Sequence, residues 1–364
     1  MAEYTTIDDP SAYFQVATYT GGGATVVTVT NDGNSDLSPD LLWFKRRDSA
    51  TAHVIMDTTQ GANVTSGNGP SGYNITSNIN STASQIADNT GVMTITSDGF
   101  TSKEMSYTAG NVSTGSMCCW QWKMNGGTTA SNTDGNITST VQANTTAGQS
   151  IVTWTGNEQS TATVGHGLDK APETIIYKRG NNATYNWTAH LLQLGTLSNG
   201  NTYAGYPNLT NSWEQTTQPA PTATIFKPTN GAPTNSGNMF AYCFHSVQGY
   251  SKMGKYTGNG NGNGPFAYTG FKPAFIMLKG NQTNHWVIYD HKRPGFNNKN
   301  YELHTNLTAA EYTGGSYYNM DIYSNGFKPK LTDPSINQNG SIYAYMAFAE
   351  NPFVTSTGVP TTAR

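Results

Sequence analysis

Two aspartates are the residues of this sequence most easily assigned to catalysis. Asp57 and Asp290 each end an apolar run that begins with histidine, at residues 53–57 and 285–290. A glycosidase places two carboxylates about 5 to 10 Å apart across a cleft. The comparable run at residues 187–190 carries no acid, however. We therefore expect both aspartates to end a strand and cap a turn, and we predict no catalytic residue.

Nucleophilic and phosphate chemistry have less support. The sequence contains no G-x-S-x-G elbow, and Cys118, Cys119 and Cys243 have neither disulfide nor zinc spacing. We predict that the three cysteines are small buried residues at equivalent places of two strands. The glycine-rich tract at residues 258–264 lacks the lysine and helix of a phosphate loop, so we expect a flexible hairpin tip.

Metal binding has one candidate segment, residues 32–36, in which oxygen-bearing side chains alternate as at the start of an EF-hand loop. The later glycine and the acid at position twelve are missing, so we predict a turn, no metal site and no cofactor. The lysines Lys45, Lys178 and Lys279 end three similar apolar runs, and we expect their amines to reach solvent.

Sugar binding would need exposed aromatic rings beside amides and hydroxyls. Six aromatic residues lie in polar stretches between the apolar runs: Trp213, Tyr203, Tyr206, Tyr312, Tyr317 and Tyr318. Tyrosine and tryptophan are also enriched at subunit contacts, which we favour for these six. The ligand-binding residues are therefore unknown at this stage.

The composition predicts an all-β protein. Only 11% of the 364 residues are charged and 39 are glycine, while threonine and asparagine are abundant. These residues disfavour helices, whereas threonine, tyrosine, valine and isoleucine favour strands. A net charge of −3 without a basic run argues against nucleic-acid binding, and no stretch has the length of a membrane span. The first residues lack secretory features, so we expect synthesis in a cytoplasm.

Four landmarks occur three times in the same order, which predicts three tandem units. An aromatic-Thr-Gly turn begins at Tyr19, Trp154 and Tyr256. A proline precedes an apolar run that ends in lysine at residues 39–45, 172–178 and 273–279. A short turn ends in Phe100, Phe226 and Phe327. A glycine precedes an aromatic by five positions in the pairs Gly115 and Trp120, Gly237 and Tyr242, and Gly340 and Tyr345.

We interpret each unit as an antiparallel, β-sandwich-like fold with the lysine-ending run as a central strand. The predicted organisation is an N-terminal arm (1–14), unit 1 (15–125), a Ser/Thr/Asn/Gly-rich linker (126–150), unit 2 (151–249), unit 3 (250–353) and a C-terminal tail (354–364). The linker is assigned because this segment contains almost no large apolar residue.

These landmarks resemble a repeat family found in virion-associated proteins of marine tailed bacteriophages, including cyanophages. The similarity rests on residues 5–14, the Tyr-Thr-Gly turns, the run at 39–45 and the ending at 345–353. It extends from about residue 5 to residue 353, and unit 2 is the most divergent.

The resemblance implies a virion structural protein that is made in the host cytoplasm without a signal peptide. We expect a tail fibre or appendage component that adheres to a host-surface glycan and contacts other virion proteins. A homo-oligomer, with a trimer favoured, is expected by analogy. The alternatives are a capsid decoration or head-fibre protein and, from another class, a polysaccharide-degrading enzyme.

Overall fold

A computed structural model describes residues 5–60, 75–83, 86–87, 94–103, 113–181, 184–228, 237–293, 297, 301–313 and 319–361. Strands dominate these residues, and the helical segments among them are two short 3-10 turns, Pro10–Ala12 and Leu192–Leu194. The prediction of an all-β fold is confirmed. In the described part of the chain, no helix is long and apolar enough to cross a membrane.

Among the described residues, nine strands precede residue 125. They are β1 (Phe14–Thr20), β2 (Val27–Val29), β3 (Leu41–Arg46), β4 (Val54–Asp57), β5 (Ile75–Asn78), β6 (Ile86–Ala87), β7 (Thr94–Ile95), β8 (Phe100–Ser102) and β9 (Ser116–Trp122). A large sheet has the order β1-β9-β3-β4-β5-β6, and a small sheet has the order β2-β8-β7.

Ten strands follow, up to residue 244. They are β10 (Ala130–Asn132), β11 (Ser139–Asn144), β12 (Gln149–Thr155), β13 (Val164–Gly165), β14 (Thr174–Arg179), β15 (Thr188–Leu191), β16 (Asn201–Gly205), β17 (Glu214–Pro219), β18 (Ile225–Phe226) and β19 (Asn238–Phe244). The second large sheet has the order β10-β11-β12-β19-β14-β15-β16-β17, and β13 pairs with β18.

The last eight strands form the third pair of sheets. They are β20 (Ser251–Thr257), β21 (Ala267–Tyr268), β22 (Phe271–Gly280), β23 (Val287–Asp290), β24 (Leu303–His304), β25 (Met320–Tyr323), β26 (Gly326–Pro329) and β27 (Ile342–Pro352). The large sheet has the order β20-β27-β22-β23-β24, and the small sheet has the order β21-β26-β25.

One strand order is common to the three large sheets. In each, the last strand along the chain (β9, β19 or β27) lies between the first strand (β1, β12 or β20) and the apolar run that ends in lysine (β3, β14 or β22). These runs are almost fully buried because sheet neighbours flank them on both edges and side chains cover both faces.

The strand register defines equivalent residues. Lys45, Lys178 and Lys279 pair with Cys118, Phe240 and Ala344, respectively. Two positions further along, Trp120 and Tyr242 are therefore equivalent to Met346. The sequence landmark that matched Tyr345 to Trp120 and Tyr242 was therefore wrong by one residue in the last third of the chain.

Each large sheet is covered on both faces. Its outer face packs on the small sheet of the same third of the chain, as when Phe44 contacts Phe100 with ring centroids 5.3 Å apart. Its inner face contributes to one apolar core that all three large sheets share. In β27, alternate residues face opposite sides, so that Ala344 and Met346 lie in the shared core and Tyr343 and Tyr345 lie in the outer one.

Equivalent aromatic residues meet at the centre of the shared core. Trp122, Phe244 and Phe348 occupy one register position, and their ring centroids are 5.6 to 6.4 Å apart pairwise. The three large sheets therefore surround a pseudo-threefold axis.

The prediction of a linker at residues 126–150 was wrong. β10 and β11 lie in this segment and extend the second large sheet beyond β12. A strand at the edge of a sheet is held by backbone hydrogen bonds. Small and polar residues such as those of Ala130–Asn132 can therefore form one without a buried apolar side chain. Gln142 of β11 also donates to Thr58 and Thr59 of the first third of the chain, at 2.8 Å each.

The described part of the N-terminal arm packs on the rest of the chain. Thr5 donates to the carbonyl of Gln248 at 2.7 Å, and Ile7 is buried in the shared core. Asp8 accepts hydrogen bonds from the backbone and hydroxyl of Ser356 at 2.6 Å each.

Candidate functional site

Asp57 lies at a junction between two large sheets and has a structural role. Its Oδ1 accepts the backbone N–H groups of Thr59 and Gln60 at 3.0 Å each, which caps the turn after β4. Its Oδ2 accepts the Tyr242 hydroxyl of β19 at 2.8 Å. Burial raises the pKa of Asp57, although the hydrogen bonds from Gln60 and Tyr242 oppose that rise.

Asp290 occupies the equivalent position at another junction. Its Oδ1 accepts the backbone N–H of Arg293 at 2.9 Å, and its Oδ2 accepts Trp120 Nε1 of β9 at 2.9 Å and Arg293 Nε at 2.6 Å. Burial alone would raise the pKa of Asp290, but the Arg293 charge together with the hydrogen bonds from Arg293 and Trp120 outweighs burial and lowers it. Both aspartates thus cap turns, and each binds a different neighbouring sheet instead of sharing a cleft.

The third junction is apolar at the same positions. Leu191 ends β15 as Asp57 ends β4, and Met346 of β27 corresponds to Tyr242. Both residues are buried in the shared core. Equivalent positions at the three junctions are therefore occupied in two ways. Two junctions have a hydrogen-bonded carboxylate, and the third has apolar residues.

A buried charge network adjoins the junction of Asp290. Glu311 accepts Arg47 Nη2 and Arg293 Nη1 at 2.9 Å each. Arg293 is completely buried and also donates to the Ile288 carbonyl at 2.9 Å. Because each charge has a partner of opposite sign, this network avoids the free-energy penalty of an isolated buried ion.

The three lysines do not reach solvent, contrary to expectation. The three residues are at most 1% exposed. Each Nζ donates to at least one carbonyl of its own third of the chain and to one carbonyl of another. The bonds to another third run from Lys45 to Thr308 (3.1 Å), from Lys178 to Thr82 (2.9 Å) and from Lys279 to Thr210 (3.2 Å). Burial lowers the pKa of Lys45 and Lys178 to about 8 and that of Lys279 to about 7.

These acceptor carbonyls belong to a fifth repeated motif, Asn-x-Thr, which the sequence analysis missed. Asn80, Asn208 and Asn306 accept the backbone N–H of His53, Trp187 and Trp286 at 2.9 to 3.3 Å. The threonine two residues later provides the carbonyl for the lysine. The signal was present, since each motif lies about 20 residues before the phenylalanine landmark.

The cysteines are free and buried, as predicted. Burial raises the pKa of Cys118 and Cys243 to about 12 and that of Cys119 well above its usual value. The thiols therefore stay protonated. Their predicted equivalence was wrong, because the register matches Cys243 to Gln121.

The segment at residues 32–36 forms a turn held by the protein itself. Asp32 pairs with Lys292 Nζ at 2.6 Å, and Gln15 accepts the Gly33 N–H at 2.9 Å. Within the described residues, no three His, Cys, Asp or Glu side chains are grouped to hold a metal ion. The tract at 258–264 is not a hairpin tip either, because it connects β20 and β21 of different sheets, and buried Asn337 binds Asn259 and Asn261.

The aromatic candidates are dispersed. Trp213 packs against the shared core, Tyr206 donates to Glu214, Tyr203 lies in β16 and Tyr312 is 44% exposed. Tyr317 and Tyr318 lie outside the described residues.

A buried acid–imidazole pair is present beside Tyr312. Glu302 Oε1 and His304 Nε2 are 3.0 Å apart, and Tyr289 donates to Glu302 at 3.4 Å. Burial raises the pKa of Glu302 to about 9 and lowers that of His304 to about 3. Both side chains are hence uncharged at neutral pH. They are nearly inaccessible, which removes them from contact with a substrate in this conformation.

A surface cavity of about 430 Å³ lies between the connection from β19 to β20 and the turn from β21 to β22. Its lining includes Gln248, Lys252, Tyr268 and Phe353. Tyr268 is 60% exposed, the largest exposed fraction among the large hydrophobic side chains described. The sequence analysis did not select it, although residues 268–270 repeat the Tyr-Thr-Gly tripeptide outside the landmark order.

The fold and the site define an all-β protein of three large sheets whose buried polar groups hold the sheets together. Its family follows from a family model described as "Domain of unknown function (DUF7483)", which matches residues 9–352. The chain belongs to this family. No curated protein and no solved structure matches it.

Proposed function

We propose that the protein is a structural component of a phage particle and is displayed on the outside, where it contacts the host surface without catalysing a reaction. The ordered sequence motifs and their resemblance to virion-associated proteins support the phage origin. The polar loops and the exposed aromatic residue at the surface cavity support contact with a glycan.

The observation that carries the proposal is the closed arrangement of the three large sheets. Trp122, Phe244 and Phe348 meet on one axis, and every junction is fixed by buried side chains. Units arranged in this way form one body, whereas units arranged end to end would form a longer molecule. The closed arrangement therefore supports a position at the end of a tail appendage, as a head that carries the binding surface, over a position in a shaft.

The symmetry also bears on partners. One chain already presents three similar outer surfaces around an axis, so a single copy fits a threefold position of another virion protein. A homo-oligomer stays a prediction, and light scattering on the purified protein tests it.

Capsid decoration is the second candidate. The same closed body, to which Thr5 is bound through Gln248 and in which Ser356 is bound to Asp8, suits a protein that sits on a shell. Particles with a fixed ratio of this protein to the major capsid protein favour this candidate over the tail.

Polysaccharide degradation remains the alternative from another class. Alanine variants of Asp57 and Asp290 do not test it cleanly, because both residues hold junctions and their loss destabilises the fold. Release of reducing ends from host polysaccharide by the unmodified protein is the suitable assay.

Localisation on intact particles tests the proposal directly. Antibody labelling or cryo-EM density at the tail supports the adhesion role. Density over the capsid replaces it with the decoration role, and absence from purified particles overturns both.

A further inference from the structure

The surface cavity beside Tyr268 lies at a place where the last third of the chain differs from the first two. Ala267, Val29 and Val164 are equivalent because each pairs with the landmark phenylalanine of its small sheet. The next residue is Tyr268 in one case and Thr30 or Gly165 in the others. Since two of three equivalent positions form the same fold without an aromatic ring, the fold does not require Tyr268.

The neighbouring position shows the same contrast. Lys252 is equivalent to Gln15 and Ser150, which are both buried. Gln15 binds Ser35 at 2.8 Å, and Ser150 binds His166 at 2.7 Å, so a connecting loop covers each of them. Within the described residues, the side chain of Lys252 forms no hydrogen bond or ion pair and lines the cavity.

A shorter connection explains the open space. The connection is counted from the residue that pairs with the landmark phenylalanine to the residue four positions before the lysine of the central strand. It spans 12 positions from Val29 to Leu41 and 10 positions from Val164 to Thr174. Ala267 to Phe275 spans only 8. The segment that covers the equivalent place in the first two thirds is therefore truncated.

The rim of the cavity is held in place. Tyr345 donates its hydroxyl to the Tyr268 carbonyl at 3.3 Å, and Gly270 donates to the Asn325 carbonyl at 3.2 Å. Gly270 has a φ of +85°, which positions its backbone beside the Tyr268 ring. Because the backbone that carries the Tyr268 ring is fixed, no loop has to be ordered when a ligand stacks on the ring.

We infer that this cavity binds a saccharide that carries a carboxylate, such as a hexuronic acid unit. The face of Tyr268 provides a stacking surface for the C–H groups of a sugar ring, and Gln248 provides amide hydrogen bonds for its hydroxyls. Lys252 is the only charged residue of the lining, and it is positive. The volume lies within the range of about 300 to 1,000 Å³ that is usual for small-ligand sites. The identity of the sugar as a host-surface glycan rests on the proposed function, whereas the site itself does not.

The test uses the full chain on an array of disaccharides in matched pairs, each hexuronic acid next to its neutral hexose counterpart. Tyr268→Ala lowers affinity for the hexuronic disaccharide at least about tenfold. Lys252→Gln lowers it up to about fivefold and leaves the neutral counterpart unchanged. Phe266→Ala is the matched control, because Phe266 is also exposed, at 46%, but packs on Tyr323 and does not line the cavity.

Two results overturn the inference: binding to no disaccharide of the array, or binding that Tyr268→Ala leaves intact. A preference for the neutral member of each pair overturns the assignment of the carboxylate. Failure of the proposed function is recognised by a different measurement, which is the localisation of the protein on particles. If the protein is absent from particles but still binds hexuronic acid through Tyr268, the virion role fails and the site stands.

Discussion

The hydrogen bond from Tyr242 to Asp57 provides a sharp test of how the sheets are joined. Tyr242→Phe removes the hydroxyl that donates to Asp57 Oδ2 at 2.8 Å and keeps the buried ring. A hydrogen bond to a buried charged group contributes about 1.5 to 3 kcal/mol. We expect the free energy of unfolding to fall by about that amount. Tryptophan fluorescence during urea unfolding measures it as a lower midpoint at an unchanged m value.

The pH dependence follows from the raised pKa of Asp57. A carboxyl whose folded pKa lies above the unfolded value of about 3.9 contributes stability at low pH and loses that contribution as pH rises through the folded pKa. The Tyr242 hydroxyl opposes the rise, so its removal raises the folded pKa further. The penalty of Tyr242→Phe is thus larger at pH 7 than below about pH 4.

Two further variants complete this experiment. In an Asp57→Asn background, the penalty of Tyr242→Phe shrinks to about 0.5 to 1.5 kcal/mol, since the acceptor is neutral. Tyr268→Phe makes the same chemical change at an exposed site and shifts stability by less than about 0.5 kcal/mol. An equal penalty with and without the Asp57 charge would refute the view that this carboxylate holds the junction.

Three other measurements test the buried polar groups. At pH 7, Lys279→Met costs about 3 kcal/mol, because three carbonyls lose the amine that donates to them. Since the folded pKa of Lys279 is about 7, the unfolded chain binds more protons from pH 7 to 10, and the deficit of the variant in urea unfolding grows with pH over this window. Arg293→Leu leaves Asp290 buried without its cation and costs about 3 to 5 kcal/mol, whereas the double variant with Asp290→Leu recovers part of the loss; an unrecovered loss contradicts the pairing. Cys118 resists thiol reagents in the folded protein at pH 8 and reacts after unfolding, so labelling of the native protein contradicts its burial.

The core strands could be predicted because their patterns are local. The apolar run ending at Lys45 marks a central strand, and the alternation of β27 identifies its two faces. The shared core follows from neither pattern, since a sheet that is apolar on both faces does not specify what covers it.

The features that the sequence analysis did not predict have a common physical cause, because each of them depends on residues far away along the chain. Lys45 stays buried because Thr308, 263 residues away, provides a carbonyl. β10 and β11 form because β12 offers an edge, although their own residues are polar. The cavity beside Tyr268 is open because the connection before the central strand is shorter in the last third of the chain than in the first two.

The position of the last strand in each large sheet has a consequence for synthesis. β9, β19 and β27 each insert between two strands made earlier, so a nascent sheet has a gap until its final strand leaves the ribosome. The central aromatic contact is complete only when Phe348 arrives. The apolar inner face of the first sheet is therefore incompletely covered for most of translation, and that of the second sheet until the last third of the chain is made. This long-range order of assembly predicts slow folding and a need for chaperones in the producing cell.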